Sequence, residues 1–389
     1  MFLTIILLIL SLSFTVYLFQ IFALRKKLKE SYSSSFTPPI SIIKPLKGLD
    51  CNLFDNLESF CKQDYPLYEV ILSLEDKNDP AYRVAEKIKN KYPHLVKIVI
   101  DSSSKALNPK VRNMMASYRE SKYDYFLISD SNVYVDRDYL KKSVSAMDDN
   151  TGLVTNLIIG ERGKSLGAKL ENLQLNSFIL LSVCFLDKFL RIPCSIGKSM
   201  LMRKRDFEEI GGFNAMGNVL AEDYMIGKLM YEKGKKVILS NYTVRNVNEY
   251  WSIKKFLNRH TRWAKIRWKI ARWKYFVEPL NNPLFLASFF PLFDGFSKIS
   301  IVLFLIACFI KVVFDSYVAK VISFKMGFSF LLIPFKDLLI GFSWLVPFFS
   351  SRVMWRNSIY FIGKDTVMLE SRKKSQIKNI YIKLKEVLT

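Results

Sequence analysis

Short runs of β-branched and other apolar residues alternate along residues 39–248 with segments whose apolar positions recur at helical spacing. This alternation predicts an α/β domain whose sheet is largely parallel at its start, because parallel strands are usually joined by a crossover helix. The predicted helices are Leu53–Gln63, Asp79–Tyr92 and Pro109–Glu120, and the predicted strands are Ile40–Lys44, Glu69–Leu74, Val96–Ile100, Tyr125–Ser129, Leu153–Ile158, Ser199–Met202 and Lys235–Leu239.

The N-terminal end has a different pattern. Phe2–Leu24 contains no charged residue and is long enough to cross a bilayer, and four basic residues follow at 25–29. We predict a retained transmembrane anchor, since no small-residue cleavage site of a secretory signal precedes Arg25. Basic residues beside a span tend to remain on the cytoplasmic side, so the following domain is expected to face the cytoplasm.

A second apolar region covers Phe285–Phe349 but is interrupted by charged residues, including Lys311 and Asp315. The clearest spanning candidates are Ile299–Phe314 and Phe328–Phe349, although re-entrant or interfacial helices fit the charges almost as well. The predicted organisation is a transmembrane anchor at 1–24, a basic and Ser-rich linker at 25–38, an α/β domain at 39–248, a basic amphipathic interface segment at 249–280, a C-terminal membrane-embedded or interfacial region at 281–350 and a cytoplasmic basic tail at 351–389.

The positive charge is concentrated beside these apolar segments. The net charge is +23, and nine Lys and Arg fall within Trp251–Phe276, accompanied by four Trp and by no Asp or Glu. Cationic side chains with interleaved indoles suit the surface of an anionic bilayer. A nucleic-acid surface would share this charge and these aromatics, but the position beside apolar helices favours a lipid bilayer as the partner, and we expect no nucleic acid.

The sequence offers little for a zinc site or a disulfide. Its five cysteines show neither a CxxC pair nor metal-ligand spacing, and only two histidines accompany them. The cysteines are therefore expected to be ordinary reduced thiols.

Acidic residues follow two of the predicted strands, at the edge where open α/β sheets bind ligands. Asp76 and Asp79 lie beyond the second strand, and Asp130 follows the fourth. Asp130 could hold Mg²⁺ or Mn²⁺ together with diphosphate oxygens, and Asp76 or Asp79 could contact a nucleotide. Each also has a structural interpretation, since the Asp130–Asn132 segment suits a strand-ending turn and Asp79 before a proline suits a helix cap.

Two further clusters lie downstream. Asp223, which follows Glu222, could act as a general base toward an attacking hydroxyl, although acidic residues are favoured in the first turn of any helix. Arg259 and Arg262 lie one helical turn apart beside Trp263. Their guanidinium groups could hold a diphosphate, or they could simply belong to the basic interface segment.

As an ordered set, these residues resemble the ceramide glucosyltransferases, a branch of the inverting GT-A-fold glycosyltransferases related to processive synthases. The likeness covers about residues 41–279, and the block at 259–263 opens with Arg rather than Gln, as in that branch. Further matching motifs are Lys44–Gly48, Asp64–Pro66, Glu69-Val70, Asp79-Pro80, Asn108–Lys110 with Asn113, Leu201–Lys204, Ala221–Tyr224, Glu278-Pro279 and a weaker echo at Trp355-Arg356.

The resemblance implies a GT-A fold, the Rossmann-like mixed sheet of nucleotide-diphospho-sugar transferases. It also implies a Mg²⁺ or Mn²⁺ site at Asp130. Asn132 stands where the usual metal motif has a second aspartate, so weaker metal retention is expected until the UDP-sugar arrives. The implied catalytic residues are Asp223, as the general base, with Arg259, Arg262 and Trp263, and the implied UDP-sugar-binding residues are Asp76, Asp79, Lys110, Asn113, Asp130 and Glu222.

By the same resemblance, the chain would be a bacterial-type homologue at the bacterial inner membrane or its equivalent. It would transfer one glucose from UDP-glucose to the primary hydroxyl of ceramide or a similar lipid, giving a β-glycolipid. Relatives also glycosylate hopanoids and diacylglycerol, so UDP-GlcNAc and UDP-galactose stay open as donors. A processive polysaccharide synthase would need more transmembrane helices for an export channel, and a non-enzymatic membrane-binding protein would explain Trp251–Phe276 but not the acidic clusters.

Overall fold

The structure is a computed structural model that describes residues 2–103, 105–355 and 358–370. The predicted motif residue Arg356 and residues 371–389 of the predicted tail lie outside the described residues. A central sheet is built from β1 (Ile40–Pro45), β2 (Tyr68–Leu74), β3 (Val96–Ile100), β4 (Tyr125–Ile128), β5 (Val133–Tyr134), β6 (Thr151–Glu161), β7 (Met200–Arg203) and β8 (Lys236–Val247).

The eight strands follow the order β3-β2-β1-β4-β7-β6-β8-β5. β1 pairs in parallel with β2 and β4, and β2 pairs in parallel with β3, so the carboxyl ends of these four strands share one edge. β7 runs antiparallel to both β4 and β6, and β8 runs parallel to β6. The predicted α/β fold class with an early parallel sheet is confirmed.

Helices cover both faces of this sheet. α2 (Leu53–Cys61) and α3 (Ala81–Lys91) contribute to the hydrophobic core on one face, whereas α4 (Pro109–Arg119) contributes to the core on the other. These three helices agree with the predicted ones to within two residues at each end. The domain also contains α5 (Tyr139–Val144), α6 (Leu166–Gln174), α7 (Leu180–Phe185), α8 (Lys204–Glu209), α9 (Gly212–Met216) and α10 (Glu222–Glu232).

Within the described ranges, four helices are long and apolar enough to cross a membrane: Thr4–Leu28, Leu166–Leu190, Lys298–Val321 and Gly327–Phe349. The first and the last two correspond to the predicted apolar segments. The second was not predicted; it is α6 and α7 joined and extended by π-helical turns at Leu175–Ile179 and Leu186–Leu190. The first of the four lies within α1 (Phe2–Leu28), the third is α14 (Lys298–Val321), and the fourth joins a 3₁₀ turn to α15 (Ile333–Phe349). Three helices precede α14: α11 (Ile253–Ala271), α12 (Pro283–Ala287) and α13 (Phe289–Phe293).

Charged residues that interrupt the two C-terminal apolar helices are buried against one another. Lys311 Nζ lies 2.6 Å from Asp315 Oδ1 and 3.4 Å from Asp337 Oδ2, and Lys336 Nζ lies 2.5 Å from Asp337 Oδ1. Lys336 also donates a 3.2 Å hydrogen bond to Ser177 in the first π-helical turn. We call Lys311, Asp315, Lys336 and Asp337 the internal charge cluster. These charges face protein rather than lipid, as the cost of a charge in hydrocarbon requires.

The basic segment forms α11, which begins after Ser252, whose hydroxyl accepts a hydrogen bond from the backbone nitrogen of Lys255. A 3₁₀ segment, Arg272–Asn281, follows it. In this segment Tyr275 stacks on Trp344 of α15, with ring centroids 5.8 Å apart. Aromatic packing thus joins the basic segment to an apolar helix.

A small antiparallel sheet, absent from our predictions, lies at the end of the described chain. It packs on the segment that precedes α10: Val219 bridges to Val367, and the backbone nitrogen of Leu220 donates to Thr366 O at 3.0 Å. The hydroxyl of Thr366 accepts a second bond from the backbone nitrogen of Ala221 at 3.3 Å. We call this the C-terminal sheet; its strands are β9 (Arg352–Trp355), β10 (Ser358–Ile362) and β11 (Met368–Glu370).

Candidate active site

A cavity of about 670 Å³ lies beyond the carboxyl ends of β1 and β4 and reaches α11. We call it the central cavity. Its polar wall comes from the segment after β4, from α4, from the loop before β7 and from the start of α10, and residues of α11 complete the lining. Seven predicted site residues line it: Lys110, Asp130, Glu222, Asp223, Arg259, Arg262 and Trp263.

Asp130 is held between two lysines. Its Oδ1 lies 2.9 Å from Lys110 Nζ, and its Oδ2 lies 2.9 Å from Lys198 Nζ. Burial alone would raise the pKa of Asp130, but the two ammonium groups outweigh it and hold the pKa far below its usual range. Lys44 also donates to the Asp130 carbonyl oxygen at 2.5 Å, so both ends of this residue are fixed.

Lys110 links the two acidic segments of the cavity. Its ammonium lies 2.9 Å from Asp130 Oδ1 and 2.9 Å from Glu222 Oε1. Burial opposes the charge of Lys110, yet the neighbouring carboxylates of Asp130, Glu222 and Asp223 raise its pKa. Burial raises the pKa of Glu222, with Asp223 adding to the effect and Lys110 opposing it. Lys110 is therefore a permanent cation at the centre of the polar wall.

Asp223 is positioned by backbone groups at the first turn of α10. Its Oδ2 accepts a 3.0 Å hydrogen bond from the backbone nitrogen of Gly197, and its Oδ1 accepts one of 2.8 Å from that of Tyr224. The carboxylate is partly exposed and lines the cavity. An oriented, ionisable carboxylate with access to a cavity is the arrangement that a general base requires.

The guanidinium of Arg259 contacts both a buried acid and two aromatic rings. Its guanidinium lies 2.9 Å from Oε1 of Glu171, a fully buried residue of α6. It also lies over the indole of Trp263, 4.4 Å from the ring centroid, and 5.2 Å from that of Trp251. His260 shares the same acid, 2.8 Å from Glu171 Oε2. The predicted cationic cluster therefore has a rigid support.

A second cavity, also of about 670 Å³, lies at the ends of β2 and β3. Asp76 lines this cavity, and Lys47 lines both cavities and so marks the place where they approach each other. The other residues that line this second cavity are Glu75, Lys77, Ile100, Ser102 and Arg112.

Asp79 and Asn113 line neither cavity, and both support the loop that follows β1. Asp79 Oδ1 accepts hydrogen bonds from the backbone nitrogens of Gly48, at 2.8 Å, and of Ala81, at 2.9 Å. Asn113 donates to the Leu46 carbonyl oxygen at 2.9 Å. Asp79 thus joins the first turn of α3 to the Lys47-Gly48 loop. It caps the helix, as its structural interpretation predicted, and it also lies near the predicted site.

Three residues that our predictions left out support this site: Lys44, Glu171 and Lys198. Lys44 belongs to a quoted motif but was given no role. Lys198 lies in Ile196–Ser199, which resembles the end of a phosphate-binding loop but has Ile192 where that loop requires glycine. Glu171 is the one residue of the three with a detectable signal, an acid within an apolar helix.

The oxygen atoms of the polar wall suit a hard divalent cation. Asp130 Oδ2 and Asn132 Oδ1 converge on one point, which the Lys198 ammonium takes at 2.9 Å and 2.7 Å. Carboxylate and carbonyl oxygens are the ligands that Mg²⁺ and Mn²⁺ prefer, and such an ion commonly takes its remaining ligands from substrate phosphates. Among the described residues, no group of three or more His, Cys, Asp or Glu could hold a metal ion by itself.

Comparison with solved structures concerns the fold. The mannosyltransferase PcManGT from Pyrobaculum calidifontis, solved in complex with GDP-Man and Mn²⁺, superposes with a TM-score of 0.54 at 13% sequence identity. The similarity covers 89% of this chain and 98% of that one. It confirms the expected GT-A fold.

Sequence comparison identifies the family. Ceramide glucosyltransferase 3 of Caenorhabditis elegans is 32% identical over 282 residues, which is 69% of this chain and 60% of that protein. Ceramide glucosyltransferase 1 of the same organism is 31% identical over 63% of this chain and 53% of its own length, so the chain spans little more than half the length of these relatives. The sequence pattern of glycosyl transferase family 21 matches residues 4–368. The predicted resemblance to the ceramide glucosyltransferases is thereby confirmed, and the chain belongs to glycosyl transferase family 21.

Proposed function

We propose that the protein is a membrane-bound inverting glycosyltransferase that transfers a single glucose from UDP-glucose to the primary hydroxyl of ceramide or a similar membrane lipid. One observation carries the proposal: the carboxylates of Asp130 and Asp223 line one cavity together with Arg259, Arg262 and Trp263. Family membership and the names of the similar proteins support the reaction and the acceptor class.

The donor would extend across both cavities. Its nucleoside would lie in the second cavity near Asp76, and its diphosphate would lie in the central cavity, with Lys47 between them. This placement follows the rule that open α/β sheets bind nucleotides beyond the carboxyl ends of their strands. Asp79 and Asn113 would act indirectly, by holding the Lys47-Gly48 loop.

Asp223 would remove the proton from the acceptor hydroxyl as its oxygen attacks the anomeric carbon. One displacement inverts that carbon, and the bond to the diphosphate oxygen breaks. The charge that develops on the leaving UDP would be stabilised by Lys110, Arg259 and Arg262, whose guanidinium groups suit phosphate oxygens. A Mg²⁺ or Mn²⁺ ion at Asp130 and Asn132 would supply further neutralisation of the diphosphate when bound.

The acceptor would reach the cavity from the membrane side. Ile179 of the apolar helix Leu166–Leu190 lines the cavity together with Ile266 and Ile270 of α11, so its acceptor end is partly apolar. Exposed cations of the basic segment, such as Lys254, Arg272 and Lys274, would hold it at an anionic surface. Basic residues at 25–29 favour a cytoplasmic catalytic domain, where nucleotide sugars are made.

Incubation of the purified full chain with labelled UDP-sugars and a lipid extract, followed by mass spectrometry of the products, tests the donor and the acceptor together. We expect one hexose on a ceramide-like lipid, with UDP-glucose as the preferred donor. Transfer of GlcNAc or galactose, or to a hopanoid or diacylglycerol, would replace the proposed substrates within the same reaction. A polymeric product would instead indicate a processive synthase.

The general base is tested by Asp223→Asn, which keeps the size of the side chain but cannot accept the proton. Transfer should fall by about 10²- to 10⁴-fold, while UDP binding persists, because general-base catalysis contributes that much. Glu232→Gln removes an exposed acid from the other end of the same helix and should leave the rate unchanged. Undiminished turnover in Asp223→Asn would refute the assignment.

A further inference from the structure

Lys198 lies where the two oxygens of the Asp-x-Asn motif converge. Its ammonium is 2.9 Å from Asp130 Oδ2 and 2.7 Å from Asn132 Oδ1, and only 8% of the side chain is exposed. The amide of Asn132 is oriented by bonds of 3.1 Å and 3.0 Å that it donates to Asn246 and Asn248. The motif therefore presents its oxygen to Lys198.

The opposite oxygen of Asp130 is also occupied, because Lys110 pairs with Oδ1. A divalent cation must approach such oxygens to about 2.0–2.2 Å, and here it would meet two ammonium groups already in contact with the only carboxylate of the motif. Displacing Lys198 without a new partner would leave a buried cation unpaired, which is costly. A diphosphate in the central cavity, which Lys198 lines, would be such a partner.

We infer that Lys198 is an internal counter-ion that keeps divalent cations out of the donor-free site. When the nucleotide arrives, the Lys198 ammonium pairs with the diphosphate instead of with Asp130. Cation and nucleotide then bind together, and the cation alone binds poorly. This inference rests on the proposed function, since it requires a nucleoside diphosphate in the central cavity. Lys198 is a positioning residue here, acting through Asp130.

The test is the binding of Mn²⁺, measured by electron paramagnetic resonance on the purified full chain in detergent, with and without UDP. The variants are Lys198→Met, which removes the charge, and Lys198→Arg, which keeps it. In the wild type, UDP should tighten Mn²⁺ binding at least about tenfold. Lys198→Met should bind Mn²⁺ without UDP at least about tenfold more tightly than the wild type, whereas Lys198→Arg should not, because only the methionine relieves the repulsion.

Equal Mn²⁺ affinities of the wild type and Lys198→Met in the absence of UDP would overturn the inference. Lys198→Gln offers a second neutral side chain that can still donate to Asp130 and Asn132, and it decides the question if the methionine variant fails to fold. UDP binding to the wild type, measured by calorimetry with Mn²⁺ present, separates the two proposals. If the wild type binds UDP but Lys198→Met does not change the Mn²⁺ affinity, this inference alone is contradicted. If the wild type binds no UDP, the proposed function is contradicted as well.

Discussion

Gly197 is the residue where a missing side chain matters most to the central cavity. A Cβ at this position would lie 2.9 Å from Asp223 Oδ2 and 3.0 Å from Lys110 Nζ, closer than Cβ contacts normally are. The backbone of Gly197 can therefore approach the proposed base and donate its hydrogen bond only because it carries no side chain.

Gly197→Ala should thus move the Asp223 carboxylate without removing it. We expect kcat to fall by about 10²-fold, the cost of roughly 1 Å of misplacement in an active site. Steady-state kinetics measure this effect. Gly363→Ala is the matched control, because a Cβ there meets nothing closer than 3.4 Å, and its kcat should stay at the wild-type value. A wild-type kcat in Gly197→Ala would show that the base tolerates displacement.

The acidic residues of the site could be predicted because each follows a recognisable strand or begins a helix. Asp130 comes two residues after β4, and Asp223 lies in the first turn of α10. Lys198 and Glu171 could not be given roles, because their functions depend on partners distant in sequence. Lys198 meets Asp130 from 68 residues away, and Glu171 meets His260 from 89 residues away. Spacing along one chain does not reveal such contacts.

At the scale of elements, the internal charge cluster decides how the apolar helices pack. It contains two cations and two anions, and each is almost completely buried. Lys311 is shared by Asp315 of its own helix and by Asp337 of α15. A charge of this kind fixes the rotation of one helix against its neighbour, since any other rotation would leave a partner unpaired.

Lys311→Met should destabilise the protein by about 3–5 kcal/mol, the cost of breaking a buried pair from one side. The double variant Lys311→Met with Asp315→Asn leaves Lys336 and Asp337 as a neutral pair, keeps an acceptor for the buried Tyr17 hydroxyl and should recover most of that loss. Thermal unfolding in detergent measures both. If the double variant were less stable than the single one, charge balance would not be what the cluster provides.

The early elements could be predicted from the sequence, whereas three later features could not. β1 to β4 and α2 to α4 carry uninterrupted periodic patterns, and these decide secondary structure when tertiary contacts agree with them. The helix Leu166–Leu190 contains charged residues such as Glu171 and Asp187 that interrupt its apolar pattern, and their partners become visible only in the fold. β5 has two residues, too few for a periodic pattern, and β9 to β11 lie in a segment that we predicted to be a basic tail.

At the scale of the whole molecule, charge and apolar exposure occur together. The basic helix α11 leads into a segment whose Trp273, Phe276 and Val277 are all more than half exposed. Indoles beside cations suit the headgroup region of a bilayer, where each Lys or Arg contributes about 1 kcal/mol toward an anionic surface. The net charge of +23 adds to this attraction.

Transfer by the reconstituted protein should therefore rise several-fold as anionic lipid replaces neutral lipid in vesicles, and added salt should reverse the gain because it screens the attraction. Initial rates at fixed donor and acceptor densities measure this dependence. Trp273→Ser should reduce the rate gained from anionic lipid, whereas Tyr231→Ser, which changes an exposed aromatic on α10, should not. Rates independent of lipid charge would contradict a membrane role for the basic segment.

The C-terminal sheet has a consequence for the order in which the molecule is made. The ribosome delivers β9 to β11 only after both C-terminal apolar helices have been synthesised, yet Thr366 supplies partners for the backbone of Leu220 and Ala221, directly before Glu222 and Asp223. Segments that emerge early can fold early, so the central sheet can form before β9 to β11 are made. The backbone of Leu220 and Ala221 still lacks its Thr366 partners at that stage. The segment directly before the proposed base is therefore completed late. A chain whose final helices insert wrongly would lack these contacts beside Asp223. Sugar transfer would in this way report on correct membrane insertion.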